Sequence, residues 1–213
     1  MKLGIYGAGG LGREICETAM VLGSWDEIVF IDDFNQEEIH GIRRMSYNDF
    51  RSGISEKDAE IVIALGEPTH KKGLREKVEK DGYSLATVIH PSANISRFSR
   101  LGKGMIVRAQ AVVSVDTFIG DNVTIMEHTY IGHDVTIGCD SQVSANVSIG
   151  GNVSIGSSTF IGAGVSIKER INIGSDVVVG MGAIVLDDIS DDIIYHNAIG
   201  KSYRTGLNRR VFE

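Results

Sequence analysis

The chain has 213 residues, 42% of them hydrophobic and 23% charged, with a formal net charge of −7, which is room for one large domain or two small ones, each with a core of its own. The acidic balance argues against duplex nucleic acid as a partner, and charge interrupts every apolar run before it reaches the length of a membrane span. Cys16 and Cys139 supply neither a CxxC spacing nor a disulfide framework, and the start MKLGIYGAGG has no apolar signal region, so a reducing, cytoplasmic setting with no membrane association is expected.

From the amino end, KLGIY reads as a strand running into Gly7-Ala8-Gly9-Gly10-Leu11-Gly12, followed by a helical stretch, REICETAMVLG. Glycines at the first, third and sixth places of that loop let the chain turn tightly and bring a helix amino terminus close to a phosphate. A second strand, EIVFIDD, ends in Asp32 and Asp33. A third, AEIVIALG, ends in Gly66 and meets Glu67-Pro68-Thr69-His70 and the helix KKGLREKVEK. The expectation is a small Rossmann-like α/β unit with a parallel sheet over residues 1–88.

The same pattern describes the dinucleotide site of a nicotinamide oxidoreductase. A full dinucleotide fold has two mononucleotide halves, however, and only about one fits before residue 89. A mononucleotide or nucleotide-sugar site is therefore favoured, with a relic packing unit and a dinucleotide site as alternatives. Asp32 and Asp33 either cap a strand end or contact a ribose or base.

From Ile89 onward every sixth residue is aliphatic, through Ile131, Ile149 and Ile167 to Val185, 17 positions in one phase. With Ile, Leu and Val at 56 of 213 positions, chance would give such a run with odds on the order of one in a billion. A period of six matches neither an α-helix nor an alternating strand, but it does match a short strand plus a turn, repeated. Three such units close a triangular coil with the aliphatics inside. Glycine follows the aliphatic in 9 of the 17 hexads, and is expected there to take positive-φ turn positions. The prism is expected over 89–190, with a carboxyl-terminal cap or tail over 191–213.

His128 and His133 fall in neighbouring hexads, IMEHTY and IGHDVT, each beside a carboxylate, Glu127 or Asp134. Either imidazole could serve as a general base oriented by its neighbour, and spacing alone does not choose between them. Shared between stacked copies, the two could also hold zinc. A third ligand is missing, because the position two coils before His128 is Ser92 and His90 has a different turn phase.

GAGGLGRE near the start, ALGEPTHKK, VIHPSA, IGHDVTIG, SIGGNVSIG and FIGAGVSI together resemble the hexapeptide-repeat acyltransferases. Within that family they are most similar to the bacterial sugar acetyltransferases grouped with sialic acid O-acetyltransferases and nucleotide-linked amino-sugar N-acetyltransferases. The resemblance spans nearly the whole chain. It implies a left-handed parallel β-helix, assembly as a homotrimer with active sites between adjacent prisms, acetyl-CoA as co-substrate, and no metal.

By hexad phase the family's catalytic histidine falls on His133 and its acidic companion on Asp134. The backbone contact to acetyl-CoA falls on Gly151, and Gly162, Ala163, Gly164 and Gly180 would line the pantetheine groove. The nucleotide of the nucleotide-linked sugar would lie at Gly7, Gly9, Gly10, Leu11 and Gly12, near Asp32, Asp33 and Gly66. Three positions depart from the family pattern: Leu11 stands where histidine is common, Gln142 replaces a histidine near the thioester, and the usual GxPAK appears only as the run ending in Lys201. After Asp192, Lys201, Arg204, Arg209 and Arg210 face Glu213 alone, which suits either the phosphates of CoA or a solvated end.

The activity implied is transfer of acetyl from acetyl-CoA to the 4-amino group of a nucleotide-linked deoxysugar, in glycan biosynthesis, with O-acetylation of a sialic acid or other sugar as the alternative. A non-catalytic trimeric scaffold and a zinc hydratase represent other functional classes.

Overall fold

A computed structural model describes residues 1–196 and the backbone of the strand Lys201–Arg204. The expectations placed on the side chains of Lys201 and Arg204, and on Arg209, Arg210 and Glu213, lie outside the described residues.

The amino-terminal unit runs β1 (Lys2–Tyr6), α1 (Gly10–Leu22), β2 (Glu27–Ile31), β3 (Arg44–Met45), α2 (Tyr47–Gly53), β4 (Ala59–Ile63), α3 (Pro68–Lys80) and β5 (Ser84–Leu85). The strands form one parallel sheet in the order β3-β2-β1-β4-β5. Leu3, Ile5, Val29, Phe30, Ile61 and Val62 are buried, as expected of central strands covered on both faces.

Both long helices start earlier than the sequence suggests. In α1 the helix begins inside the glycine loop, with Gly9 as its N-cap, and α3 begins at Pro68, whose missing N–H costs nothing in a first turn. The short elements β3, α2 and β5 were not anticipated, although α2 has a capping signature: the Ser46 hydroxyl accepts from the Asp49 N–H at 3.1 Å.

Beyond residue 88 the chain winds into a left-handed parallel β-helix of seventeen two-residue strands, and each aliphatic of the six-residue series is the second residue of one strand. Strands three hexads apart pair in parallel, giving three faces. The first face contains Thr124–Ile125, Gln142–Val143 and Phe160–Ile161; the second contains Val112–Val113, Tyr130–Ile131 and Ser148–Ile149; the third contains Phe118–Ile119 and Thr136–Ile137. From Val113 to Val185 every aliphatic of the series is buried, with the small or branched residues four places on.

The hexad glycines answer a different demand from the expected one. Positive φ falls three places after the aliphatic, and mostly on Asn, Asp and other side chains, including Asn122 (57°), Asp134 (56°) and Asn152 (60°). Asn and Asp tolerate this region through local hydrogen bonding. The glycine beside the aliphatic is instead required by close stacking: a Cβ on Gly132 would lie 2.9 Å from the Gly150–Gly151 backbone of the next coil.

The α/β unit covers the first face. Val88 and Ile106 of the prism share a core with Leu3, Ile5 and Ile15, and an ionic clamp closes each margin of the contact. At one edge, the Arg108 guanidinium donates to Glu127 Oε1 at 2.7 Å and to the Glu14 carbonyl and Thr18 hydroxyl of α1. At the other, Arg75 of α3 forms two parallel bonds to Asp140, 2.8 and 2.9 Å. Between them Lys71, wholly buried, donates to Thr124 Oγ1 and the Ser141 carbonyl.

Candidate active site

His133 stands at the edge between the second and third faces, where the chain turns from Tyr130–Ile131 to Thr136–Ile137. Its side chain is 54% exposed, and Nδ1 lies 2.7 Å from Asp134 Oδ2. The left-handed turn at Asp134 presents its carboxylate to the ring it follows. With Nδ1 engaged in this way, Nε2 is the nitrogen left to exchange a proton. The ring lies over Gly151 of the next coil, where a Cβ would stand 2.6 Å from both Cε1 and Nε2. His128, also exposed, belongs to the ordinary series of positive-φ turn residues at a different edge.

The other residues assigned to acetyl-CoA are spread around the prism. Gly162, Ala163 and Gly164 turn the edge between the first and second faces, and Gly180 follows on that edge one coil later. A Cβ on Gly180 would fall 2.6 Å from His196 Nδ1, so that histidine covers it. Gln142 lies on the first face, paired in register with Thr124 and only 4% exposed, and its Oε1 has no hydrogen-bond partner. One chain therefore brings His133, Asp134 and Gly151 together, while Gln142, Gly162, Ala163, Gly164 and Gly180 lie at other places on the prism.

A second site lies at the carboxyl ends of β1, β2 and β4, the crevice where open α/β sheets receive ligands. A cavity of about 490 Å³ there is lined by Tyr6, Gly7, Asp32, Asp33, Leu65 and His70, among others. Asp32 accepts from the Phe34 and Asn35 N–H groups and pairs with Arg44. Burial pushes its carboxyl up, but those bonds outweigh burial and hold it below the usual carboxylate range. Asp33 accepts from the Tyr6 hydroxyl at 2.7 Å and the Tyr47 N–H at 2.8 Å. Burial first, then the bond to Asp33, keeps the Tyr6 phenol protonated well above its ordinary range.

The glycine loop divides by function. A Cβ on Gly12 would meet the Gly7 carbonyl oxygen at 1.9 Å, and one on Gly7 would meet the Ala64 carbonyl at 2.8 Å, so the fold itself demands glycine at both. Gly9 and Gly10 have open space where a Cβ would sit and are exposed. Leu11 is part-buried against the core under α1, and Gly66 lies in the loop after β4.

Sequence reasoning did not single out Phe34, Thr69 or His70 as site residues, yet all three line this cavity. The first turn of α3 carries the latter two, and the Pro68 start signal would have placed them. Among the described residues, no group of three or more His, Cys, Asp or Glu side chains could hold a metal ion, and no helix is long and apolar enough to cross a membrane.

Residues 2–78 match the family described as PglD N-terminal domain, and residues 116–151 and 134–169 match the bacterial transferase hexapeptide (six repeats) family. The acetyltransferase domain of PglB from Neisseria gonorrhoeae, solved in complex with acetyl coenzyme A, is 30% identical with a TM-score of 0.90 over 95% of this chain and 98% of that one. PerB from Caulobacter crescentus, in complex with CoA and GDP-perosamine, is 27% identical with a TM-score of 0.87 over 95% and 97%. A histidine-to-asparagine mutant of perosamine N-acetyltransferase from the same organism is 25% identical with a TM-score of 0.90 over 96% and 98%. The chain therefore belongs to the hexapeptide-repeat sugar acetyltransferase family and is an acyltransferase.

Proposed function

We propose that the protein transfers the acetyl group of acetyl-CoA to the 4-amino group of a nucleotide-linked deoxysugar, with His133 as general base. The observation that carries this reading is the exposed His133–Asp134 pair, 2.7 Å apart, seated on Gly151. An ammonium ion cannot attack a thioester, so the amine reacts in its neutral form. As its nitrogen bonds to the acetyl carbon, Nε2 of His133 takes the departing proton and Asp134 steadies the imidazolium. The Gly151 N–H is assigned to the developing oxyanion. Collapse breaks the C–S bond, and the proton returns from His133 to the departing CoA thiolate. Support for an amine acceptor comes from the similar Caulobacter enzyme, an N-acetyltransferase in complex with GDP-perosamine.

The site is shared between copies, and the working form is a homotrimer. The α/β unit with its cavity covers the first face, whereas His133 stands on the opposite edge of the same prism. A sugar held in that cavity must therefore meet the histidine of another copy. Phe98, Val115, Phe118 and Tyr130 surround the His133 edge and are all exposed in the single chain, an apolar grouping of the kind that marks an association surface. Acetyl-CoA would lie in the groove between prisms, along Gly162, Ala163, Gly164 and Gly180, whereas Gln142, buried on the first face, is left out of that groove.

The test is a panel of UDP-, dTDP- and GDP-linked 4-amino sugars with acetyl-CoA, following thiol release and product mass, alongside the molar mass in solution. One amino sugar turning over on a trimeric enzyme is expected. Turnover confined to hydroxyl acceptors would overturn the amine reading, and a fully active monomer would overturn the shared site.

A further inference from the structure

Phe34 is a phenyl group that the fold holds entirely in water, 100% exposed. Its backbone is nonetheless fixed. The Phe34 N–H donates to Asp32 Oδ1 at 2.9 Å, the Asn35 N–H donates to the same oxygen at 3.2 Å, and Arg44 pairs with the other oxygen of that carboxylate. A carboxylate and a guanidinium thus serve to shape a turn whose product is one bare aromatic ring on the wall of the cavity. Leaving such a surface in water is unfavourable, and an Asp-anchored turn gains nothing from carrying it unless something covers the ring.

The rest of the cavity says what covers it. At the Phe34 end the two carboxylates are engaged, Asp32 with Arg44 and backbone, Asp33 with the Tyr6 hydroxyl and the Tyr47 N–H. Leu65 and Leu74 add apolar lining to the cavity. The cavity therefore offers the Phe34 ring together with a largely apolar wall. Gly7 lines the same cavity and opens the glycine loop that leads to the amino terminus of α1, which suits anionic oxygens. A ligand planar and aromatic at one end and anionic at the other is a nucleotide.

We propose that Phe34 stacks on the nucleobase of the nucleotide-linked sugar and supplies most of the affinity for that base. The proposal rests on the nucleotide-sugar reading of this cavity. Stacking is indifferent to base identity, since every base has a π-face. Phe34 thus sets how tightly any nucleoside diphosphate is held, and the choice among bases falls to hydrogen-bonding groups.

The experiment compares the full-length protein with Phe34→Ala and Phe34→Trp. Phe34→Ala should raise KM for the nucleotide sugar roughly ten- to a hundredfold, with kcat, the KM for acetyl-CoA and the melting temperature unchanged, since the ring packs on nothing. Calorimetry with UDP, dTDP and GDP should show the same loss, whereas inorganic pyrophosphate, which has no base, should bind both proteins alike. In Phe34→Trp affinity should return, and the new indole emission should be quenched by a nucleoside diphosphate but not by pyrophosphate. If the unmodified protein binds none of the nucleoside diphosphates, the nucleotide reading fails and takes the stacking with it. If it binds one and Phe34→Ala binds that one equally well, the stacking alone is wrong.

Discussion

The imidazole of His133 rests on Gly151, one coil further along the prism, so closely that a single methyl group there would stand 2.6 Å from two of its ring atoms. Gly151→Ala should therefore act as a mutation of the histidine. The ring must swing away from Asp134, and a displacement of about 1 Å in a catalytic group costs roughly a hundredfold in rate. His133→Ala should lower kcat by ~10²–10⁴ with little change in acetyl-CoA affinity. The double variant separates mechanism from coincidence. If Gly151→Ala works through the ring, adding it to His133→Ala costs almost nothing more, whereas multiplied losses would show that the two residues act independently.

The glycine loop yields a prediction in which neighbours behave oppositely. Gly12→Ala drives a Cβ to 1.9 Å from the Gly7 carbonyl, and a backbone atom cannot move aside as a side chain would. It should cost about 3 kcal/mol or more of stability. Gly9→Ala meets nothing within 4 Å, at an N-cap with ordinary negative φ. Its melting temperature should hold while KM for the nucleotide sugar rises at least tenfold. Unchanged KM in Gly9→Ala would mean that no phosphate approaches this turn.

How far the molecule could be read in advance depends on where the physics is local. The prism was legible because one aliphatic every six residues, from Ile89 to Val185, writes three-sided winding directly into the chain. His133 and Asp134 were legible as a pair because adjacency and turn phase place both on one edge. Nothing in a six-residue beat says which face another part of the chain will cover, so the burial of Gln142 on the first face was hidden. The network of Lys71, Arg75 and Asp140 joins residues 65 or more positions apart for the same reason. Phe34 was readable in principle: an aromatic after two acids at a strand end has no core to enter. The glycine requirement at Gly132 was misattributed because tight stacking and positive φ favour the same residue.

Asp140 is the hinge of the α3 clamp. Its carboxylate is buried, takes both bonds from Arg75 and one at 2.8 Å from Asn122 Nδ2, and sits at a φ of 63°. Asp140→Ala removes the acceptor and strains the turn. Breaking one side of a buried pair costs ~3–5 kcal/mol, and the lower end applies because Arg75 keeps Glu79 at 3.0 Å. Asp140→Asn tolerates the same φ and keeps one acceptor oxygen, so it should lose less than half as much. Chemical denaturation decides between them. Equal losses would mean that the charge pair, not the geometry, holds α3 to the prism.

Lys71 gives the molecule a pH signature. Burial lowers its amine to about 7, against a partial rescue by Asp140, from the ordinary 10.5. In the folded protein the amine is mostly neutral above that point, while in the unfolded chain it stays protonated up to about 10. Between these values the unfolded state binds the extra proton, so stability rises as pH rises from 7 toward 10. The groups that face the amine are the Thr124 hydroxyl and the Ser141 carbonyl, to which it donates, and the Asp140 carboxylate bonded to Arg75, whose charge acts against the effect of burial. Burial also raises the Cys16 thiol, which opposes the climb once an unfolded cysteine ionises above about 8.5, and the buried phenols of Tyr6, Tyr47 and Tyr83, all raised, add to that opposition above about 10. The urea midpoint should therefore climb between pH 7 and about 8.5 in the unmodified protein. In Lys71→Met, which keeps the aliphatic stem without the amine, the climb should largely vanish. An identical slope in the variant would locate the titration elsewhere and leave Lys71 as a charged clamp like its neighbour Arg75.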